Sequence, residues 1–138
     1  LGLLKKVVLS LRERVKTLVE MADLAEFYFR EAIAYDEKAA EKFLGRDSAS
    51  VLQQIIEALS KEAALDKERC HRLIQELAET RGVPLVRIAQ PLRVALTGKT
   101  VSPPIDEVMG ILGRDVVVQR LQRAIEYIKD KSKVQNAN

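Results

Sequence analysis

The chain is short of aromatic, histidine and cysteine side chains, and each shortage removes a class of function. Aromatics make up 4% of its 138 residues and Trp is absent. An RNA-binding sheet that stacks bases on exposed rings needs more. Cys70 stands alone, which excludes an internal disulfide and a Cys-rich zinc site. One Cys and no disulfide fit a reducing cytosol, so a cytoplasmic protein is expected. His71 is the sole His. Neighbouring helix positions point about 100° apart, so Cys70 and His71 chelate poorly and read as a buried thiol beside a surface imidazole. No Gly-rich phosphate loop, His-Glu metal motif or Ser/His/Asp set is present, and the plentiful carboxylates sit at helix-surface spacing. No catalytic site is expected, and no metal site. No apolar run reaches the ~20 residues that cross a bilayer. The start, Leu1-Gly2-Leu3-Leu4-Lys5-Lys6, lacks Met and puts its charges after the apolar residues, the reverse of a signal peptide. The chain is expected to begin inside a longer protein.

What remains is aliphatic and helical. Hydrophobic residues are 47% and charged residues 31%, enough for one domain with a core of Leu, Val, Ile and Ala. Leu4, Val7, Val8, Leu11 and Val15 repeat at helical spacing and predict a helix over 3–15. Thr17-Leu18-Val19-Glu20 reads as a capping box. It opens a second helix over 18–31 that carries Leu24, Ala25, Phe27, Tyr28 and Phe29 into the core. Asp36 is expected to cap a short helix over 37–44, stopped by Gly45. Asp47 or Ser48 is expected to start the next, with Leu52, Ile55, Ile56, Leu59 and Ala63 on one face. Asp66 caps a fifth, facing inward with Cys70, Leu73, Ile74, Leu77 and Ala78 and ending at Gly82.

Pro84 suits a first helical position, and Pro91 interrupts the pattern that follows. Two short helices, about 84–89 and 91–97, are expected to meet at an angle, with Gly98 closing the second. Ser102-Pro103-Pro104 begins a helix near 104–112, and Gly113 ends it. The last helix, 114–130, aligns Val117, Leu121, Ala124, Ile125 and Ile128. The tail 131–138 has no apolar periodicity and should fray. No segment alternates with a strand's period, and no repeat recurs at a fixed spacing. The expected fold is all-α, a compact multi-helix bundle over 1–130, with two subdomains at 1–82 and 83–130 as one arrangement.

Charge is uneven. The total is +3, but residues 1–80 carry 13 basic against 15 acidic side chains, and residues 81–138 carry 10 against 5. From Thr80 to Ile105 the charged residues are Arg81, Arg87, Arg93 and Lys99, with no acid among them. A positive field on a Pro- and Gly-rich turn suits a phosphate backbone or an unstacked base. Arg87, Lys99, Arg120 and Arg123 are further cations that can meet phosphates.

The run Gln90-Pro91-Leu92-Arg93-Val94-Ala95-Leu96-Thr97-Gly98, then Ser102-Pro103 and Leu112-Gly113-Arg114, resembles the C-terminal region of bacterial-type glutamyl-tRNA synthetases. So does Leu11-Arg12-Glu13-Arg14-Val15-Lys16-Thr17-Leu18 followed by Phe27-Tyr28-Phe29. The resemblance spans residues 3–128. It implies a helical cage that binds the anticodon of tRNA-Glu. The catalytic domain is absent: a His-Ile-Gly-His-like turn and a Lys-Met-Ser-Lys-like loop do not occur in this sequence. ATP and Mg²⁺ are implied for the parent ligase and no cofactor for this piece. The resemblance places Arg14 against the third anticodon base. Arg93, Ser102, Pro103 and Ile105 fall around the other two, with Arg93 bonding, Ser102 offering a polar contact, and Pro103 and Ile105 packing on base faces. Asp106 departs from the family pattern by bringing a negative charge to this corner.

The chemistry of the bases agrees. Glutamate anticodons end in C, whose pairing edge offers two acceptors and one amino donor; glutamine anticodons end in G, which offers two donors there. A guanidinium only donates, so Arg14 forks onto C and meets donor with donor on G. The competing reading is a helical protein-protein interaction module without RNA binding, suggested by the small net charge and few aromatics. The expected partner is tRNA-Glu, with no membrane and no DNA, and the chain is expected to be a monomer.

Overall fold

Local capping chemistry divides this sequence into helices. The computed structural model describes residues 2–11, 27–29 and 33–137. α1 spans Gly2–Leu11, and residues 27–29 are helical. Asp36 caps α2 (Glu37–Phe43), its Oδ2 accepting from the Ala39 amide at 3.0 Å. Asp66 does the same for α4 (Lys67–Arg81), accepting from the Arg69 amide at 2.8 Å. Both satisfy an amide that the first helical turn leaves without a partner. α4 ends at Gly82, which adopts the left-handed conformation expected of a glycine stop. α6 (Ile105–Leu112) ends at Gly113, and α7 runs Arg114–Ala137.

Several expectations need correction. α3 is Arg46–Ser60 and begins at Gly45, without a side-chain cap. Ser48 does not start it; its hydroxyl donates back to the Phe43 carbonyl at 2.5 Å, binding the end of α2 to the start of α3. Ala63 lies beyond α3 and is exposed. Pro91 does not break its helix: α5 is continuous over Val86–Thr97. Pro91 removes the donor for the Arg87 carbonyl, at a cost of about 3 kcal/mol. Burial offsets it, because Ile88, Leu92, Val94 and Leu96 are fully inside and each contributes about 1.5–3 kcal/mol. α7 continues past residue 130 into the tail expected to fray, which contains no Gly or Pro to stop it. Phe27 and Tyr28 are buried, but Phe29 is 51% exposed. Residues 12–26, including the capping box, lie outside the described residues.

The architecture is all-α among the described residues. α3 packs on α7, α4 on α6, and α5 on both α2 and α7. One core joins Leu52, Ile55 and Leu59 of α3 to Val117, Leu121 and Ala124 of α7. That core crosses the boundary at 82/83.

The sharpest constraint is at Gly98. It closes α5 with φ +80°. A Cβ there would stand 2.1 Å from the carbonyl oxygen of Ala34. The Gly98 carbonyl accepts from the Asp36 amide at 2.8 Å. The loop after α5 and the strap before α2 therefore touch backbone to backbone, which only glycine permits. Gly98→Ala should destabilise the fold by more than about 2 kcal/mol, from left-handed strain and collision. Gly45→Ala, where nothing lies within 4 Å, should change it by less than about 1 kcal/mol. Thermal unfolding of the two variants checks the contrast.

Candidate RNA-binding site

The C-terminal half of α5 and the loop after it form a corner around Arg93. Thr97 fixes the main chain there. Its hydroxyl donates to the Arg93 carbonyl at 2.8 Å and accepts from the Lys99 amide at 3.1 Å. Buried Arg120 donates through Nη1 to the Leu96 carbonyl at 2.7 Å. These bonds satisfy carbonyls that a helix end leaves open, and the cation complements the negative end of the α5 dipole. Arg120 is thus structural, not the surface phosphate contact considered from the sequence.

The Arg93 side chain is held from two sides. Nε donates to Ser102 Oγ at 2.9 Å, and Nη1 donates to Gln90 Oε1. Ser102 in turn donates to the Pro103 carbonyl at 2.7 Å. The half-buried guanidinium has its pKa pulled below the usual value by burial, yet an arginine stays charged at neutral pH. The remaining N–H groups of this fork are the chemistry the corner offers: donors, fixed in direction, toward a planar acceptor or a phosphate.

The proposed residues divide. Arg93 and Ser102 come together directly. Pro103 and Ile105 are nearby in sequence but buried, Ile105 at 7% exposure within the core. The exposed apolar surface at this corner belongs to Val101, 73% exposed, and Pro104. Arg14 lies outside the described residues. Asp106 turns toward α4, its Oδ2 3.7 Å from His71 Nδ1. Sequence reasoning missed Gln90 and Val101. Gln90 is three residues before Arg93, one helical turn, which is the signal that could have paired them.

Cys70 is fully buried and burial pushes its thiol up to about 12. Among the described residues no group of three His, Cys, Asp or Glu could hold a metal ion, and no helix is long and apolar enough to cross a membrane. Because the chain has one Cys, a thiol reagent reports on it alone. At pH 8 Cys70 should resist Ellman's reagent in the native protein and react fully once guanidinium unfolds it; fast native reaction would contradict its placement.

Comparison with known proteins gives the context of this corner. A family model described as an anticodon binding domain matches residues 2–125. A glutamate–tRNA ligase 1 of Syntrophus aciditrophicus is 46% identical over 125 residues, covering 91% of this chain and 26% of that protein. A glutamate–tRNA ligase 2 of Coxiella burnetii is 43% identical over 125 residues, covering 91% and 27%. A crystal structure of a glutamate tRNA ligase from Elizabethkingia meningosepticum superposes with a TM-score of 0.81 at 27% identity, covering 89% of this chain and 24% of that one. The chain thus spans about a quarter of the length of the relatives it matches. With the family match running through α1 to α7 and including the Arg93 corner, the chain belongs to the anticodon-binding domain family.

Proposed function

We propose that this chain is the anticodon-reading part of a glutamate–tRNA ligase, and that it selects tRNA-Glu. The observation that carries the reading is the Arg93 guanidinium, held between Gln90 and Ser102 on a rigid helix end. Such a group has lost most of its rotamer freedom before RNA arrives, so little further ordering opposes binding. Its open N–H donors suit the carbonyl edge of an unstacked base. Val101 and Pro104 offer apolar surface for a base face, and Pro103 and Ile105 shape the corner from beneath. Arg14 supplies the discrimination between C and G at the third anticodon position.

The relatives named as glutamate–tRNA ligases support this reading and lend none to a protein-interaction module. The bond chemistry belongs to the rest of the ligase. That part uses ATP and Mg²⁺. The ligase acts as a cytoplasmic monomer, and this part contributes specificity and positioning.

The test is binding of a tRNA-Glu anticodon stem-loop and of its variant with G in place of the final C. A buried donor left facing a donor costs about 1–3 kcal/mol, so the G variant should bind about tenfold more weakly or worse. Equal affinities would remove Arg14 from its role. Arg93→Ala should weaken both stem-loops alike; an unchanged affinity would remove Arg93.

A further inference from the structure

A second basic feature lies next to the Arg93 corner and is not part of it. Where the end of α2, the start of α3, the end of α4 and the start of α5 converge, they enclose an open cleft of about 860 Å³. Four of its lining residues are cations, Lys42, Arg46, Arg81 and Arg87, against one acid, Asp47. These cations come from four different helices and fall into two pairs, Lys42 with Arg46 and Arg81 with Arg87, that lie far apart in sequence, so the fold brings the pairs together. Arg81 is already oriented: Nε donates to Gln54 Oε1 at 2.6 Å and Nη2 to Ser50 Oγ at 2.7 Å. Neutral partners hold the guanidinium in place without cancelling its charge. Arg87 is exposed on the first turns of α5.

The cleft connects to the Arg93 corner through one residue. Gln90 lines the cleft, and its Oε1 also accepts from Arg93 Nη1. Arg87, Gln90 and Arg93 follow each other at three-residue steps along α5. Six residues of helix span about 9 Å, short enough for one RNA strand to touch both ends. A cleft with a clear cationic excess attracts a phosphate backbone and carries no base code.

We infer that this cleft is a phosphate-binding station for the RNA strand that enters the Arg93 corner, so that Lys42, Arg46, Arg81 and Arg87 hold the backbone while Arg93 meets the bases. The inference rests on the anticodon-binding reading but assigns a different surface and a different kind of contact. Cleft contacts supply affinity that depends on salt and not on sequence; corner contacts supply the choice of anticodon.

The double variant Arg46→Gln, Arg87→Gln tests it, since both side chains are exposed and their replacement should leave the far-UV circular dichroism spectrum intact. The probe is tRNA-Glu, titrated into wild type and variant across a range of salt concentrations. Loss of two phosphate contacts should reduce the slope of log K against log[salt] by about 2. The preference for the C-ending over the G-ending anticodon should stay the same. An unchanged slope with tRNA still bound would overturn the phosphate station and leave the anticodon reading standing. A changed preference with an unchanged slope would also overturn it, by assigning the cleft to base recognition. Failure of the wild type to bind tRNA at low salt would overturn both.

Discussion

The contact between Gly98 and the backbone at Ala34 governs the geometry of everything around it. A carbonyl oxygen occupies the space that any side chain at 98 would need, and the Asp36 amide bonds the Gly98 carbonyl on the same crossing. The loop leaving α5 therefore has one available course. That course brings Ser102 back to Arg93, nine residues earlier, at hydrogen-bond distance. The same crossing ends in Asp36, whose side chain caps α2. Because α2 packs on α5, one close approach sets both the candidate binding corner and the helix that closes one side of the basic cleft.

Stability and the proposed recognition draw on different arginines, and burial separates them. Arg120 is 2% exposed and bonds the carbonyl end of α5. Arg93 is half-buried and bonds only side chains, which leaves its fork partly open. Arg81 is tied to neutral groups at the rim of the cleft, and Arg69 is tied to Glu62 away from it. Cations of one type thus serve as helix cap and surface ion pair, and the proposed base and phosphate contacts fall to two others. The partner available to each decides which.

Much of the fold was legible because it is written in short-range chemistry. Asp36 and Asp66 act through an amide three residues on; Gly82, Gly98 and Gly113 act through their own backbone. The apolar face of α7 was legible from its period. Pro91 was misjudged because its local penalty was weighed without the burial of Ile88 and Leu92 beside it, which no local rule supplies. Arg120 was misjudged although its register with Val117, Leu121 and Ala124 places it on the buried face. The Arg93–Ser102 pairing was anticipated only as a common neighbourhood implied by family resemblance. The Gln90 bond was legible in the three-residue spacing from Arg93, whereas the exposure of Val101, the burial of Ile105 and the convergence of four helices on one cleft depend on tertiary packing and had no signature in the sequence.

The central claim is that an RNA loop meets this domain at the Arg93 corner. The most direct measurement is nuclear magnetic resonance of the ¹⁵N-labelled chain titrated with the tRNA-Glu anticodon stem-loop. The account predicts that the Arg93 Nε–H signal and the amides of residues 90–104 shift first and furthest. Shifts confined to other faces, with the Arg93 and Ser102 signals unmoved at saturation, would contradict it.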